Sequence, residues 1–311
     1  MQEFIVSWAA GIPSLALPYA LAAVGLIISE RAGVLSLGAE GLMLVGAMAG
    51  VGAFIMTDGQ PVLALLSAMA AAALVSVVFA ILVVWLRVNQ VIAGLALVFF
   101  CSGLTNLIGT LSGWANRAIS GIGEVPLGPL GDLPIAGPIL FRHDVLVYAL
   151  VPICWAVHRM LSQSNIGLRL RAVGESPEAA DAAGVNVPLV RFLAIVAGAA
   201  LIGLAGGYLS VFSAKVWIAG MSSGRGWIAV ALVIFARWKP LQALIGAFIF
   251  GGIEALIPQL NAAGVKLPQY YLMMTPYLAT LGVMMWLGFK GGMTSDAPAA
   301  LGVPYVREER S

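Results

Sequence analysis

Long charge-free apolar runs separated by short polar breaks fill most of the chain. Phe4–Ser29, Gly59–Leu86, Val88–Asn116, Phe192–Ala214 and Leu267–Phe289 are each long enough to cross a bilayer. Crossing about 30 Å of hydrocarbon at about 1.5 Å per helical residue takes about 20 residues. Shorter runs lie at Gly41–Thr57, Val145–His158, Gly226–Ala236 and Leu241–Ile253, the last continuing past Glu254 to Pro258. The pattern predicts about nine hydrophobic segments. All read as helices, because lipid-facing strands alternate with period two and these runs do not. The expected fold class is all-α, a polytopic helical membrane protein, with residues 1–311 taken as a single transmembrane domain.

Composition narrows the function classes. Of the residues, 61% are hydrophobic and 10% charged, against about 45–50% and about 25% in soluble domains. Mean hydropathy is +0.99. A soluble enzyme, a nucleic-acid binder and a disordered scaffold are thereby excluded. The 37 glycines allow helix backbones to approach closely, as membrane bundles require. Net charge is only +2, which implies no strongly charged partner. Cys101 and Cys154 sit in apolar runs and are too few for a disulfide framework. Neither they nor His143 and His158 show metal-ligand spacing, so no metal site is expected. Met1-Gln2-Glu3 gives the first run no basic start and no clear cleavage site follows, so a removable signal peptide is not expected.

Orientation follows from basic residues in short loops. With the N-terminus outside, the inner face collects Arg31, Arg87, Arg159, Arg169, Arg171, Arg191, Arg237, Lys239, Lys290, Arg307 and Arg310. Arg117, Arg142, Lys215, Arg225 and Lys266 then face outward, so the N-terminus is expected outside and the C-terminus in the cytoplasm. Residues 113–144 become an extracytoplasmic loop rich in Gly and Pro, either a cap over a pathway or a connector. Residues 162–188 become the cytoplasmic loop and the most polar stretch of the chain.

Inside that polar loop, Gly174, Glu175, Ser176, Pro177, Glu178, Ala179, Ala180, Asp181, Ala182, Ala183 and Gly184 spell a short capped helix. Ser176 is a good N-cap and Pro177 suits the first helical position. Glu178 and Asp181 lie where the helix dipole favours negative charge, and Gly184 supplies a left-handed stop. The expected helix, Pro177–Ala183, is either a slim peg for a groove on a second protein or a solvated surface helix.

Polar residues at membrane depth are the candidate pathway. Gly226–Ala236 is about half the length needed to span. Ser222-Ser223-Gly224 before it can cap a helix that begins inside the membrane. A loop dipping in from outside and a half-helix leaving at Arg237 are therefore expected. Half-helix N-termini aim unpaired N–H groups at polar solutes, which makes Ser222, Ser223 and Arg225 candidates; alternatively Arg225 snorkels to the outer interface. Glu254 interrupts an apolar run and faces either a cavity or a structural partner. Asn106, in mid-segment, bonds either a neighbouring helix or a ligand. Glu30, Arg31 and Glu40 bracket Ala32–Ala39, whose glycines mark a break; they either anchor the inner interface or gate the pathway. Asn89 and Gln90 are expected to cap a helix.

GLRLRAVGESPEAADAAGV (Gly167–Val185) resembles the coupling-helix loop of ABC importer permeases, in the branch that carries simple sugars, nucleosides and branched-chain amino acids. ERAGVLSLGAEGLMLVGAMAG (Glu30–Gly50), VNQVIAGLAL (Val88–Leu97) and GRGWIAVALVIFARWKP (Gly224–Pro240) are similar to the same branch, in particular its nucleoside, basic-membrane-lipoprotein-linked members and the simple-sugar permeases. The resemblance implies an ABC importer permease fold with a short cytoplasmic coupling helix, made of residues Gly174–Gly184. It implies a transport subunit of the bacterial plasma (inner) membrane, carrying a small polar solute, a nucleoside or simple sugar, with no enzymatic activity of its own. The implied partners are an ABC ATPase subunit, an extracytoplasmic solute-binding protein, the lipid bilayer and a second permease, either a related non-identical chain or a second copy. ATP and magnesium are expected on the ATPase, since this chain carries no GxxxxGK[ST] phosphate loop. The competing class is a stand-alone ion-coupled secondary transporter, which would carry intramembrane Asp, Glu or His relays; only Glu254 is available for one.

Overall fold

The computed structural model describes residues 2–121, 123, 125–126, 128, 131, 133–262, 264, 274, 278, 281–282, 285 and 296–306. In chain order the helices are α1 (Gln2–Arg31), α2 (Ala39–Met56), α3 (Pro61–Ala80), α4 (Gln90–Leu111), α5 (Val145–Gln163), α6 (Asn165–Glu175), α7 (Pro177–Ala182), α8 (Val187–Tyr208), α9 (Arg225–Phe235) and α10 (Pro240–Ala262). Wider turns extend α3 through Ile81–Trp85 and α8 through Leu209–Ser213. Among the described residues, seven helices are long and apolar enough to cross a membrane, and α9 is a shorter apolar helix. The predicted segments from Phe4–Ser29 to Leu241–Pro258 correspond to these eight. The segment Leu267–Phe289 lies almost wholly outside the described residues, as do Lys266, Lys290, Arg307 and Arg310.

Local chemistry explains the helix starts. Asn89 accepts from the Val91 and Ile92 N–H groups and caps α4. Gln90, expected as a second cap, instead accepts at 2.7 Å from the Leu35 N–H. Asp144 caps α5 with Oδ1 and takes the Tyr208 hydroxyl on Oδ2 at 2.7 Å, tying α5 to α8.

The core forms around α1 and α8. From Ala16 to Ile28 α1 is buried all round, packed by α10, α8, α9 and α5, while α8 also packs on α2 and α3. Lipid tails give no hydrophobic drive to helix association, so close van der Waals contact must supply it. Glycine makes that contact possible: a Cβ on Gly25 would run into the Gly198 carbonyl and the reverse, and one on Gly46 would run into the Gly203 backbone.

On the far side, the 113–144 loop is tied down. Val125–Pro126 (β1) pairs antiparallel with Arg142–His143 (β2). Asn116 N–H donates to Trp217 O at 3.0 Å and Ile119 N–H to Lys215 O at 2.9 Å, so this loop is bonded to the segment that leads into α9.

Candidate functional site

α9 has 11 residues, about 17 Å of helix, and is gripped at both ends. Its first N–H groups have no partners within the helix. Glu40, in the first turn of α2, supplies them: Oε1 accepts from Ser222 Oγ at 2.6 Å and Gly224 N at 2.8 Å, and Oε2 accepts from Gly226 N at 2.7 Å. One carboxylate thus joins the N-termini of two helices, where the dipole favours negative charge. A Cβ on Gly226 would collide with the Glu40 backbone, so only glycine permits the approach.

At the other end, Arg237 and Trp238 take left-handed backbone (φ 51° and 54°) and stop the helix. The Trp238 indole N–H donates to Glu30 Oε2 at 2.6 Å, and Arg31 Nε donates to Trp238 O at 3.2 Å. A cation beside the helix C-terminus has the sign the dipole prefers. The three residues expected to act together are therefore divided: Glu30 and Arg31 hold one end of α9 and Glu40 the other.

Beside Glu40 lies an ion pair. Arg225 Nη2 bonds Glu254 Oε1 on α10, and the Tyr19 hydroxyl on α1 donates to Glu254 Oε2 at 2.7 Å. Arg225 Nη1 also reaches the Met221 and Ser222 carbonyls, each at 3.3 Å. Helix rise fixes the depth. Tyr19 is about 18 Å from Arg31 along α1, and Glu254 about 21 Å from Pro240 along α10. Gly41, whose missing Cβ makes room for Cys101, stands about 17 Å from the start of α4 at Gln90 by the same measure. Measured from the polar breaks on one face, all three values fall in the interior of an apolar layer about 30 Å thick. Arg225 is ion-paired to Glu254 rather than free.

The remaining candidates separate. Ser222 is buried against Glu40, whereas Ser223 is exposed and bonds only local carbonyls. Asn106 lies on the exposed face of α4 beside Leu107, and the structure does not bring it to the cluster. The Arg225 and Glu254 side chains keep 20% and 21% exposure, so the pair is not sealed inside the bundle. The set offers a carboxylate, a guanidinium and a phenol. That is hydrogen-bonding chemistry for a polar solute, without a nucleophile and base in contact. Tyr19 was not singled out by sequence; a lone tyrosine in the middle of Phe4–Ser29 was the available signal.

The polar loop folds into two helices rather than one. Ser164 Oγ accepts from Gly167 N at 3.0 Å and caps α6, which was not anticipated. Gly174 presses on the Arg31 carbonyl. Ser176 Oγ accepts from Ala179 N at 3.3 Å, α7 runs Pro177–Ala182, and Gly184 at φ 83° ends it. Pro177 and Ala180 are buried, while Glu178, Ala179, Ala182 and Ala183 are exposed. The peg is thus braced underneath and uncovered on its outer face.

The family described as branched-chain amino acid transport system, permease component, matches residues 9–285. The putative glucose ABC transporter permease protein TsgC13 of Haloferax volcanii is 39% identical over 93% of this chain and 94% of its own. The guanosine ABC transporter permease protein NupQ of Bacillus subtilis is 35% identical over 95% of each chain. The nucleoside ABC transporter permease protein NupC of Lactococcus lactis is 30% identical over 94% of each. The first two organisms each supply a second, more distant relative, TsgB13 at 28% and NupP at 26% identity. No solved structure matches the chain.

Proposed function

The chain belongs to the permease-component family of branched-chain amino acid transport systems and is a multi-pass permease subunit of an ABC importer, and we propose that its solute is a nucleoside or simple sugar. The observation that carries this reading is the short apolar helix α9, whose N-terminus is held by Glu40 beside Tyr19, Arg225 and Glu254. Those charges neutralise one another, which suits a neutral solute rich in hydroxyls rather than an ion. Glucose, guanosine and nucleosides in the names of the relatives support the same class. Arg225 and Glu254 line the passage, Tyr19 holds Glu254 from behind, and Glu40 with Ser222 positions the helix that carries Arg225.

The exposed face of α7 docks on a separate ATPase that binds ATP and magnesium; closure of the ATPase rocks the helices between outward- and inward-open states. A related, non-identical chain forms the other half of the pathway. The second relatives in Haloferax volcanii and Bacillus subtilis support that arrangement. A solute-binding protein delivers from outside, and the termini lie N-out and C-in.

The test is extraction of the tagged chain from its host in mild detergents, with mass spectrometry, an ATPase assay and uptake of labelled nucleosides and glucose in vesicles. An ATPase and a second permease are expected to co-purify, with uptake that depends on ATP. Recovery of the chain alone, with uptake that follows an ion gradient, would replace this reading with a secondary transporter.

Two further outcomes are expected. Glu178→Arg or Ala182→Trp on the exposed face of α7 lowers uptake by about tenfold or more, the usual penalty for altering the centre of an interface, while membrane levels of the chain stay constant. Wild-type uptake in both variants would remove α7 from the docking surface. A cysteine at Gly123 labels from outside with an impermeant reagent and one at Ala182 only after permeabilisation; the reverse would invert the orientation.

A further inference from the structure

The segment 296–306 is not a trailing end. It crosses the face where α1 stops and bonds to α6, to α8, to the break after α1 and to the turn after α9. Asp296 Oδ2 lies 3.0 Å from Arg237 Nε and 3.4 Å from Lys239 Nζ, at the turn that closes α9. Ala299 N–H reaches Glu175 Oε2 at 3.4 Å, and Ala300 N–H donates to Gly174 O at 2.9 Å, directly before the cap of α7. Gly302 N–H donates to Gly33 O at 3.1 Å in the break after α1. Arg191, 3% exposed in the early turns of α8, donates from Nη1 to Val303 O at 3.0 Å. Tyr305 packs on Val173, Ala180 and Val187, the small cluster that braces α7. The fit is close, since a Cβ on Gly33 would stand 3.1 Å from Ala300 O and one on Gly174 would stand 3.2 Å from Pro298 Cβ.

These bonds add a route between the helices around α7 and those around α9, beside the packing of α8 on α1 and α2. α7 packs on α6 and α8, whereas α9 packs on α1, α2 and α10. The strap grips the first group through Gly174, Glu175 and Arg191, and the second through Arg237 and Lys239. We propose that residues 296–306 act as a tie-rod that carries displacement of the peg α7 to the half-helix α9, with Asp296 as the positioning residue at the α9 end. The proposal rests on the importer reading above. Asp296 touches no solute and no nucleotide. Its part is to make the end of α9 follow α6 and α7 when an ATPase moves them.

A change that breaks this link while sparing docking separates ATP hydrolysis from transport. The readout is solute taken up per ATP hydrolysed, measured on the whole complex in vesicles. Asp296→Arg faces Arg237 and Lys239 with like charge. It lowers uptake per ATP by about three- to tenfold, the range of coupling changes along such networks, with hydrolysis and complex yield near wild type. Adding Arg237→Glu and Lys239→Glu to the same chain restores the ratio. Asp296→Asn, which keeps the shape and removes the charge, gives a smaller loss of the same kind and serves where the reversal fails to assemble. An unchanged ratio in Asp296→Arg and Asp296→Asn, or hydrolysis and uptake falling together with yield, would overturn the tie-rod. A wild-type complex without ATP-driven uptake would overturn the importer reading and this proposal with it.

Discussion

Glu40→Ala abolishes uptake. Glu40 gives Ser222, Gly224 and Gly226 their acceptor, and its removal leaves all three donors without it. An unsatisfied buried donor costs about 1–3 kcal/mol, and more in hydrocarbon. Three such donors amount to about 3–9 kcal/mol, enough to displace the start of α9 by population alone. Glu40→Gln is milder, because it keeps one acceptor oxygen but turns an amide donor toward N–H groups that already donate. Gly226→Ala reaches the same end from the opposite side by pushing Glu40 away. Uptake in vesicles, normalised to assembled complex, checks all three. Wild-type uptake by Glu40→Ala would mean that this carboxylate does not organise the half-helix.

The second large effect concerns Arg225 and Glu254. Arg225→Met leaves the Glu254 carboxylate at membrane depth with only the Tyr19 hydroxyl, and Glu254→Gln leaves the guanidinium without its counter-charge. Breaking one side of a buried pair costs about 3–5 kcal/mol; partial exposure puts this pair near the lower end. Both single variants lose complex. The double variant Arg225→Met/Glu254→Gln recovers yield, because no isolated charge remains, yet its uptake stays about tenfold or more below wild type. A purely structural pair would give the opposite result, with uptake returning in step with yield.

The sequence made local features legible and distances illegible. The spans, the short Gly226–Ala236 run and the Ser176–Pro177 cap are written in consecutive residues; the run and the cap appear in the structure within a residue or two, and the described spans within about five. Glu30 and Glu40 look like neighbours, yet the intervening Ala32–Gly38 climbs beside α4 and puts them at opposite ends of α9; no periodicity encodes that climb. Tyr19 and Glu254 meet across 235 positions, and polarity alone cannot supply such a pairing. α6 was read as loop because its arginines mask the spacing of its buried Leu170 and Val173. The strap has neither helical nor strand pattern, so nothing flagged it before its bonds were visible.

The glycine contacts between α1, α2 and α8 bear on how the molecule can change shape. Gly25 meets the Gly198 carbonyl, Gly46 the Gly203 backbone and Gly206 the Met43 carbonyl. Sliding any of these helices by one residue would bring a side chain against a facing backbone. Gradual shear inside this trio is therefore blocked, and the trio swings as one stiff lever. Motion between outward- and inward-open forms then concentrates where the chain is thin: the Arg237–Lys239 turn and the approach to α9 near Gly220. These are hinges, and they sit at the two ends of the half-helix.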